Sequence, residues 1–178
     1  QIAGTSAIWV LSVAFGLYML GLGSLMFHLA PYLTDEGFSL RTATILLSIW
    51  GVGDLVGRLP WGLLIERASV KYSAVAAFLV SSLAVLFIYL AGGHLLAAMG
   101  ALLFFGLAIP GTATMQEVFL ANYYGRPSLG RVRSITLPIV SLSSAAGAPL
   151  AGHIYDATGS YHWAFVMSAT FFVLGSLA

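Results

Sequence analysis

Six long apolar runs, separated by short polar links, are the feature that most restricts what this chain can become. A bilayer's hydrocarbon core is crossed by about 20 mostly apolar residues in a helix. Applied along the sequence, that length predicts helices over roughly 5–30, 42–64, 72–91, 95–120, 134–154 and 163–178. Only 7% of the residues are charged, against about 25% in soluble domains, too few to cover a water-facing surface. The expected fold is an all-α polytopic membrane bundle of six transmembrane helices, with membrane lipid around it. A net charge of +1 gives no basic footprint for nucleic acid. Without cysteine, disulfides and thiolate metal or redox centres are excluded, and no cofactor is expected. The first run lacks a start Met and the last is still apolar where the sequence stops. The chain therefore reads as part of a longer protein, the alternative being a half-size protein that works as a dimer.

The links fix an orientation. Arg67 and Lys71 lie between the second and third runs, and Arg126, Arg131 and Arg133 between the fourth and fifth. The opposite side has Arg41 alone, beside Asp35 and Glu36. Short loops rich in Lys and Arg stay in the cytoplasm, so both chain ends are expected there, in a plasma (inner) membrane. Tyr32, Trp61, Tyr72, Tyr123, Tyr124, Tyr155, Tyr161 and Trp163 fall near the predicted helix ends, where aromatic side chains sit at a membrane interface. Ile109-Pro110-Gly111 should kink the fourth helix, because proline removes a backbone donor. The fifth carries Pro138 and Pro149 around the small-residue run from Ser141 to Gly147. Such a face serves close helix packing or lines a pathway. No repeat between the two triplets of helices is visible in the residues.

Ionisable residues inside the runs carry most of the functional information. In Gly51-Val52-Gly53-Asp54-Leu55-Val56-Gly57-Arg58, Asp54 falls near the middle of the predicted second helix, with Arg58 one turn (about 6 Å) towards the basic side. The four-residue spacing puts both on one face, and Trp50 extends that face outward. A charge at a helix centre costs about 2.5–3.5 kcal/mol on insertion scales, so the pair should face a bundle interior or a wet cavity. A structural ion pair is the plainer interpretation. Arg58 can snorkel to the interface, but Asp54 is too short and too deep for that.

Three segments resemble known transporters. Gly62-Leu63-Leu64-Ile65-Glu66-Arg67-Ala68-Ser69-Val70-Lys71 is similar to the loop signature of the major facilitator superfamily between the second and third helices of each half. Gly62, Leu64, Arg67 and Lys71 match that pattern. Glu66 stands for its usual Asp, Ser69 for its usual Gly, and the last basic residue is one place late. Asn122-Tyr123-Tyr124-Gly125-Arg126-Pro127-Ser128-Leu129-Gly130-Arg131-Val132-Arg133 resembles the loop between helices ten and eleven in the monocarboxylate-transporter and oxalate/formate-antiporter branches. Gly152-His153-Ile154-Tyr155-Asp156-Ala157-Thr158-Gly159-Ser160-Tyr161 is similar to the end of helix eleven in the same branches. The Asp-x-x-x-Arg pair resembles that of the eighth helix in monocarboxylate transporters.

The resemblance implies helices seven to twelve of a twelve-helix carrier over residues 1–178, whose N-terminal six-helix half is a missing partner. It implies Arg58 as ligand of a small organic anion and Asp54 as the proton-coupling group, with Trp50 and Tyr18 as further substrate-facing candidates. Gly62, Glu66, Arg67, Lys71, Arg131 and Arg133 would form a cytoplasmic gate. Within it, Glu66 is expected to dock at the fifth helix's N-terminus, near Ser134, with Arg131 and Arg133 just before it. Glu117 is expected to reach the interface. His28, His94, His153 and His162 read as interfacial, without metal-ligand spacing. The rival classes are an intramembrane hydrolase, for which no Gly-x-Ser-x-Gly stands in the sequence, and a channel or scaffold, for which no filter loop does.

Overall fold

The computed structural model describes residues 6–177. Gln1–Thr5, Ala178 and the Arg126 side chain lie outside that description, including the extreme ends of the first and sixth predicted helices. The helices are α1 (Ser6–Asp35), α2 (Leu40–Arg67), α3 (Val70–Ala91), α4 (Leu95–Tyr124), α5 (Leu129–Thr158) and α6 (His162–Leu177), with a 3-10 turn at Arg126–Ser128. Five are long and apolar enough to cross a membrane, and α6 is a shorter apolar helix. The fold is the expected all-α polytopic bundle.

Most helices run beyond the apolar cores that predict them. Hydropathy marks the hydrocarbon-facing stretch, whereas hydrogen bonding carries a helix into the interface until a cap ends it. Ser39 caps α2 by accepting from the Thr42 N–H at 3.2 Å, and Ser69 caps α3 from Tyr72 at 3.4 Å. Gly159 ends α5 in the left-handed conformation, φ 66°, its N–H bonded to Tyr155 O. Two expectations change as a result. Gly62, Glu66 and Arg67 lie in the last turns of α2, with only Ala68 and Ser69 linking it to α3. Arg131 and Arg133 lie inside the first two turns of α5, not ahead of it. α4 continues as helix through Pro110.

The packing is organised as two interleaved triplets. α2 lies along α4 and α5 along α1; α3 packs on α4 and α6 on α1; α3 and α6 pack on each other. Exchanging the first three helices for the last three leaves this pattern unchanged. Three crossings separate equivalent helices, so they run in opposite directions, as in an inverted repeat.

Glycines at the two principal crossings show the repeat residue by residue. A Cβ on Gly53 would lie 2.6 Å from Leu103 O, and one on Gly106 would fall on Trp50 O. At the other crossing, a Cβ on Gly147 would fall on Leu20 O and one on Gly23 on Ser144 O. The same step along the sequence carries Trp50 to Ser144 and Gly53 to Gly147. A second constant step carries Leu20 to Leu103 and Gly23 to Gly106. Obstruction by backbone cannot be relieved by turning a side chain, so glycine is what lets these helices meet.

Candidate substrate and proton site

The repeat sets the site's frame. α2 buries Ala43, Leu46, Gly53 and Gly57, the stripe that faces α4. Trp50, Asp54 and Arg58 follow the edge of that stripe at successive four-residue steps, which superpose on a helix. Trp50 packs partly against the core. Asp54 keeps 27% of its side chain exposed and Arg58 keeps 65%. The sequence therefore descends along one edge of α2 from a half-buried ring to an open guanidinium.

Arg58 Nη2 donates to Asp54 Oδ2 at 2.7 Å. Both groups belong to one helix, so the pair does not tie α2 to a neighbour. One turn outward, Trp50 Nε1 is buried and has no acceptor among the described residues. Leaving such a donor unpaired costs about 1–3 kcal/mol. The site thus combines a guanidinium with unused N–H groups, a carboxylate that can take up a proton, and an unsatisfied indole donor.

Tyr18 is placed elsewhere. It is wholly buried, with its hydroxyl 3.2 Å from Ser81 Oγ. Its ring stacks on Phe172 at 4.4 Å and meets Phe78 edge-on at 5.0 Å. Phe78 of α3 and Phe172 of α6 flank it, with Ser81 at its hydroxyl, and it is a core residue in this structure rather than a lining of the Asp54–Arg58 edge. The reason is rotational: Tyr18 lies on the α1 face turned to α3 and α6.

The expected latch also differs. Arg133 pairs with Glu117 of α4, and Glu66 makes no ion pair among the described residues. In this conformation the principal partner of α2 is α4 and that of α5 is α1. Glu117 does more than reach the interface, since it joins α4 to α5 on the basic side. A Cβ on Gly62 would meet nothing within 4 Å, so close packing does not explain that glycine here. Lys71 instead borders an apolar cavity of about 230 Å³ with Phe15, Phe78, Phe119 and Tyr123, apart from the Asp54–Arg58 edge.

Gly111 serves packing. The Trp61 ring lies against Gly111, where a Cβ would be 2.6 Å from it. Trp61 Nε1 donates to Leu107 O at 2.8 Å. The small run of α5 likewise seats α1, with Ser143 beside Gly16 and Ser144 beside Gly23.

Sequence reasoning missed His28. Its Nε2 lies 3.0 Å from Ala148 O and its Nδ1 3.4 Å from the Tyr161 hydroxyl. The sequence reads it as interfacial because the apolar run of the first helix ends at residue 30. With α1 running to Asp35, His28 sits seven residues inside, about 10 Å along the axis.

The family model for the Major Facilitator Superfamily matches residues 11–178. The chain belongs to the major facilitator superfamily. It is 28% identical over 180 residues to monocarboxylate transporter 12 of Rattus norvegicus, covering 96% of this chain and 35% of that protein. To monocarboxylate transporter 11 of Mus musculus it is 27% identical over 160 residues, covering 84% and 35%. To monocarboxylate transporter 2 of Homo sapiens it is 25% identical over 165 residues, covering 90% and 34%. The chain thus spans about a third of the length of the curated relatives it matches. Membership makes it an integral membrane protein of a transporter family, a class distinct from intramembrane enzymes.

Proposed function

We propose that this chain is the C-terminal six-helix half of a secondary carrier that moves a small organic anion, a monocarboxylate, together with a proton. The observation that carries the proposal is the Asp54–Arg58 pair, bonded only within α2 and open on the edge that begins at the unsatisfied Trp50 N–H. The names of the relatives support the substrate class.

Charge balance explains why both groups are needed. With the site empty, Asp54 carboxylate and Arg58 guanidinium sum to zero. If a proton joins Asp54, Arg58 is released to bind a carboxylate bidentately, and the loaded site again sums to zero. Loading the proton alone leaves +1, and loading the anion alone leaves −1. A net charge within a membrane is expensive, so the half-loaded forms are the ones disfavoured for reorientation. Proton and carboxylate then cross together. Exchange of one anion for another follows the same rule without net proton movement, since each anion crosses with a proton, provided the carrier reorients only when loaded.

In this proposal the N-terminal half covers exposed faces of α2 and α5, where Val52, Leu55, Leu59 and Leu142 stand open. The basic links and both chain ends face the cytoplasm. Arg133 and Glu117 hold α4 and α5 together on that side, and Glu66 is free to take another partner in a different conformation.

The test is uptake of a labelled monocarboxylate panel into proteoliposomes containing the full-length carrier, with and without a proton gradient, beside Arg58→Ala. Gradient-driven uptake that disappears in the variant supports the proposal. Gradient-independent counterflow favours the exchanger, and uptake unchanged in Arg58→Ala overturns the assignment of the site.

A further inference from the structure

The repeat points to a second polar site. The step that relates Trp50 to Ser144 and Gly53 to Gly147 carries Asp54 to Ala148 and Arg58 to Gly152. α5 therefore has no side chain charge where α2 has its pair. The space is taken from the other helix of that crossing. His28 of α1 lies with Cε1 3.7 Å from where a Gly152 Cβ would be, and its Nε2 is bonded to Ala148 O. Because equivalent helices run oppositely, His28 occupies on the outer side the place that Arg58 occupies towards the basic side. It is about 10 Å in from the outer end of α1, whereas Asp54 is about 21 Å in from the outer end of α2.

A backbone carbonyl only accepts, so Nε2 carries a hydrogen and donates to Ala148 O. Neutral His28 then accepts the Tyr161 O–H at Nδ1. The groups around it are of one sign. Tyr155 donates to Asp35 Oδ2 at 3.0 Å and stacks on Tyr161 at 4.3 Å. Burial, then Asp35, Tyr155 and Asp156, push the Tyr161 hydroxyl above its ordinary pKa, so it remains an O–H. Tyr32, on the same helix, turns its hydroxyl to the carbonyls of Ile88 and Tyr89. His153 is exposed, and His162 packs against Tyr89. Arg58 is the helix-interior cation of α2, on the edge already described. Asp35 and Asp156 are thus the charged side chains that bear on the Tyr161 hydroxyl.

We propose that His28 is a proton-binding site, separate from Asp54 and filled from the outer side, that sets how firmly α1 is held to α5 and the Tyr161 corner. A proton from the outer solution adds to Nδ1. The Tyr161 hydroxyl turns so that its oxygen accepts from the new N–H, and its own proton is free for water. Both ring nitrogens now donate with charge assistance, which roughly doubles the strength of such bonds. Acid outside therefore tightens the outer crossing while it loads Asp54. Histidine is suited to this role because its charge changes between about pH 5 and 8.

The proposal deepens the transport reading and rests on it for one of two measurements only. First, ¹⁵N NMR of the histidine-labelled full-length carrier in nanodiscs should show a resonance that is lost in His28→Gln, titrates between about pH 5 and 8, and shifts its midpoint in Tyr161→Phe. Glutamine keeps a donor for Ala148 O and an acceptor for Tyr161, which protects the fold. A His28 resonance that does not titrate across that range overturns the proposal. Second, His28→Gln should change the shape of the outer-pH dependence of uptake and keep the part that Asp54 supplies, while Arg58→Ala loses uptake at every pH. A His28→Gln profile that overlays wild type also overturns it. Wild type that takes up no carboxylate counts against the transport reading instead, and the titration then decides His28 alone.

Discussion

The two principal crossings of this bundle share a backbone and differ in what they carry. At the α2–α4 crossing, Gly53 and Gly106 bring the helices together, and α2 supplies Asp54, Arg58 and a Trp61 ring that bonds Leu107 O. At the α1–α5 crossing, Gly147 and Gly23 do the same, yet α5 offers only Ala148 and Gly152. There one ring that bonds across, His28 on Ala148 O, comes from α1, and another, Tyr155 on Asp35, comes from α5. Close approach belongs to the fold and is duplicated. The Asp–Arg pair belongs to the site and is not, since α5 has Ala148 and Gly152 in its place, so one crossing is read as the place of chemistry.

That contrast can be broken in several places. The largest effect is expected from Gly106→Leu and Gly23→Leu, each of which drives a side chain into backbone across its crossing. Overpacking of this kind costs about 1–3 kcal/mol or more, and both variants should lose folded yield in size-exclusion profiles to a similar degree. Tolerance of one and not the other would mean that the crossings are not equivalent. Next, Asp54→Asn should keep substrate exchange but lose acceleration by a proton gradient in proteoliposomes, since a permanently neutral side chain carries no proton. Accumulation that still follows the gradient would place the coupling proton elsewhere. Trp61→Phe removes one cross-helix bond, worth about 1 kcal/mol, together with part of the ring that packs on Gly111, and should lower the thermal midpoint with transport intact. The smallest effect belongs to Glu117→Gln. Its pair with Arg133 is nearly half exposed on both sides, so a stability change within about 1 kcal/mol is expected from a melting curve.

Much of this architecture was legible in the residues because hydrocarbon imposes a length and a polarity that few sequences satisfy by accident. The six helices and the i,i+4 pair at Asp54 and Arg58 followed from those rules. Helix ends did not, since Ser39 and Ser69 act by capping and α5 begins at Leu129 rather than near Ser134. That extension moved Arg131 and Arg133 into the helix and gave Arg133 to Glu117. Tyr18 shows a second limit. Mid-helix depth says nothing of rotation, and packing turned its ring into the core between Phe78 and Phe172. The inverted repeat was invisible because it is preserved mainly at glycines that touch backbone, a signal that emerges only when the crossings are seen. His28 was hidden for both reasons at once: a misjudged helix end and a partner supplied by the repeat.

The central claim is that Arg58 holds the anion, and equilibrium binding tests it without any demand on energetics. Purified full-length carrier should bind a labelled monocarboxylate more tightly at about pH 6 than at about pH 8, as proton and anion load together. Arg58→Ala should weaken binding at the lower pH by about 30-fold or more, the loss of a charge-assisted bidentate contact worth about 2–5 kcal/mol. Arg58→Lys should fall between the two, because an ammonium keeps the charge and loses the fork. Equal affinity in wild type and Arg58→Ala would contradict the account and move the anion site off α2.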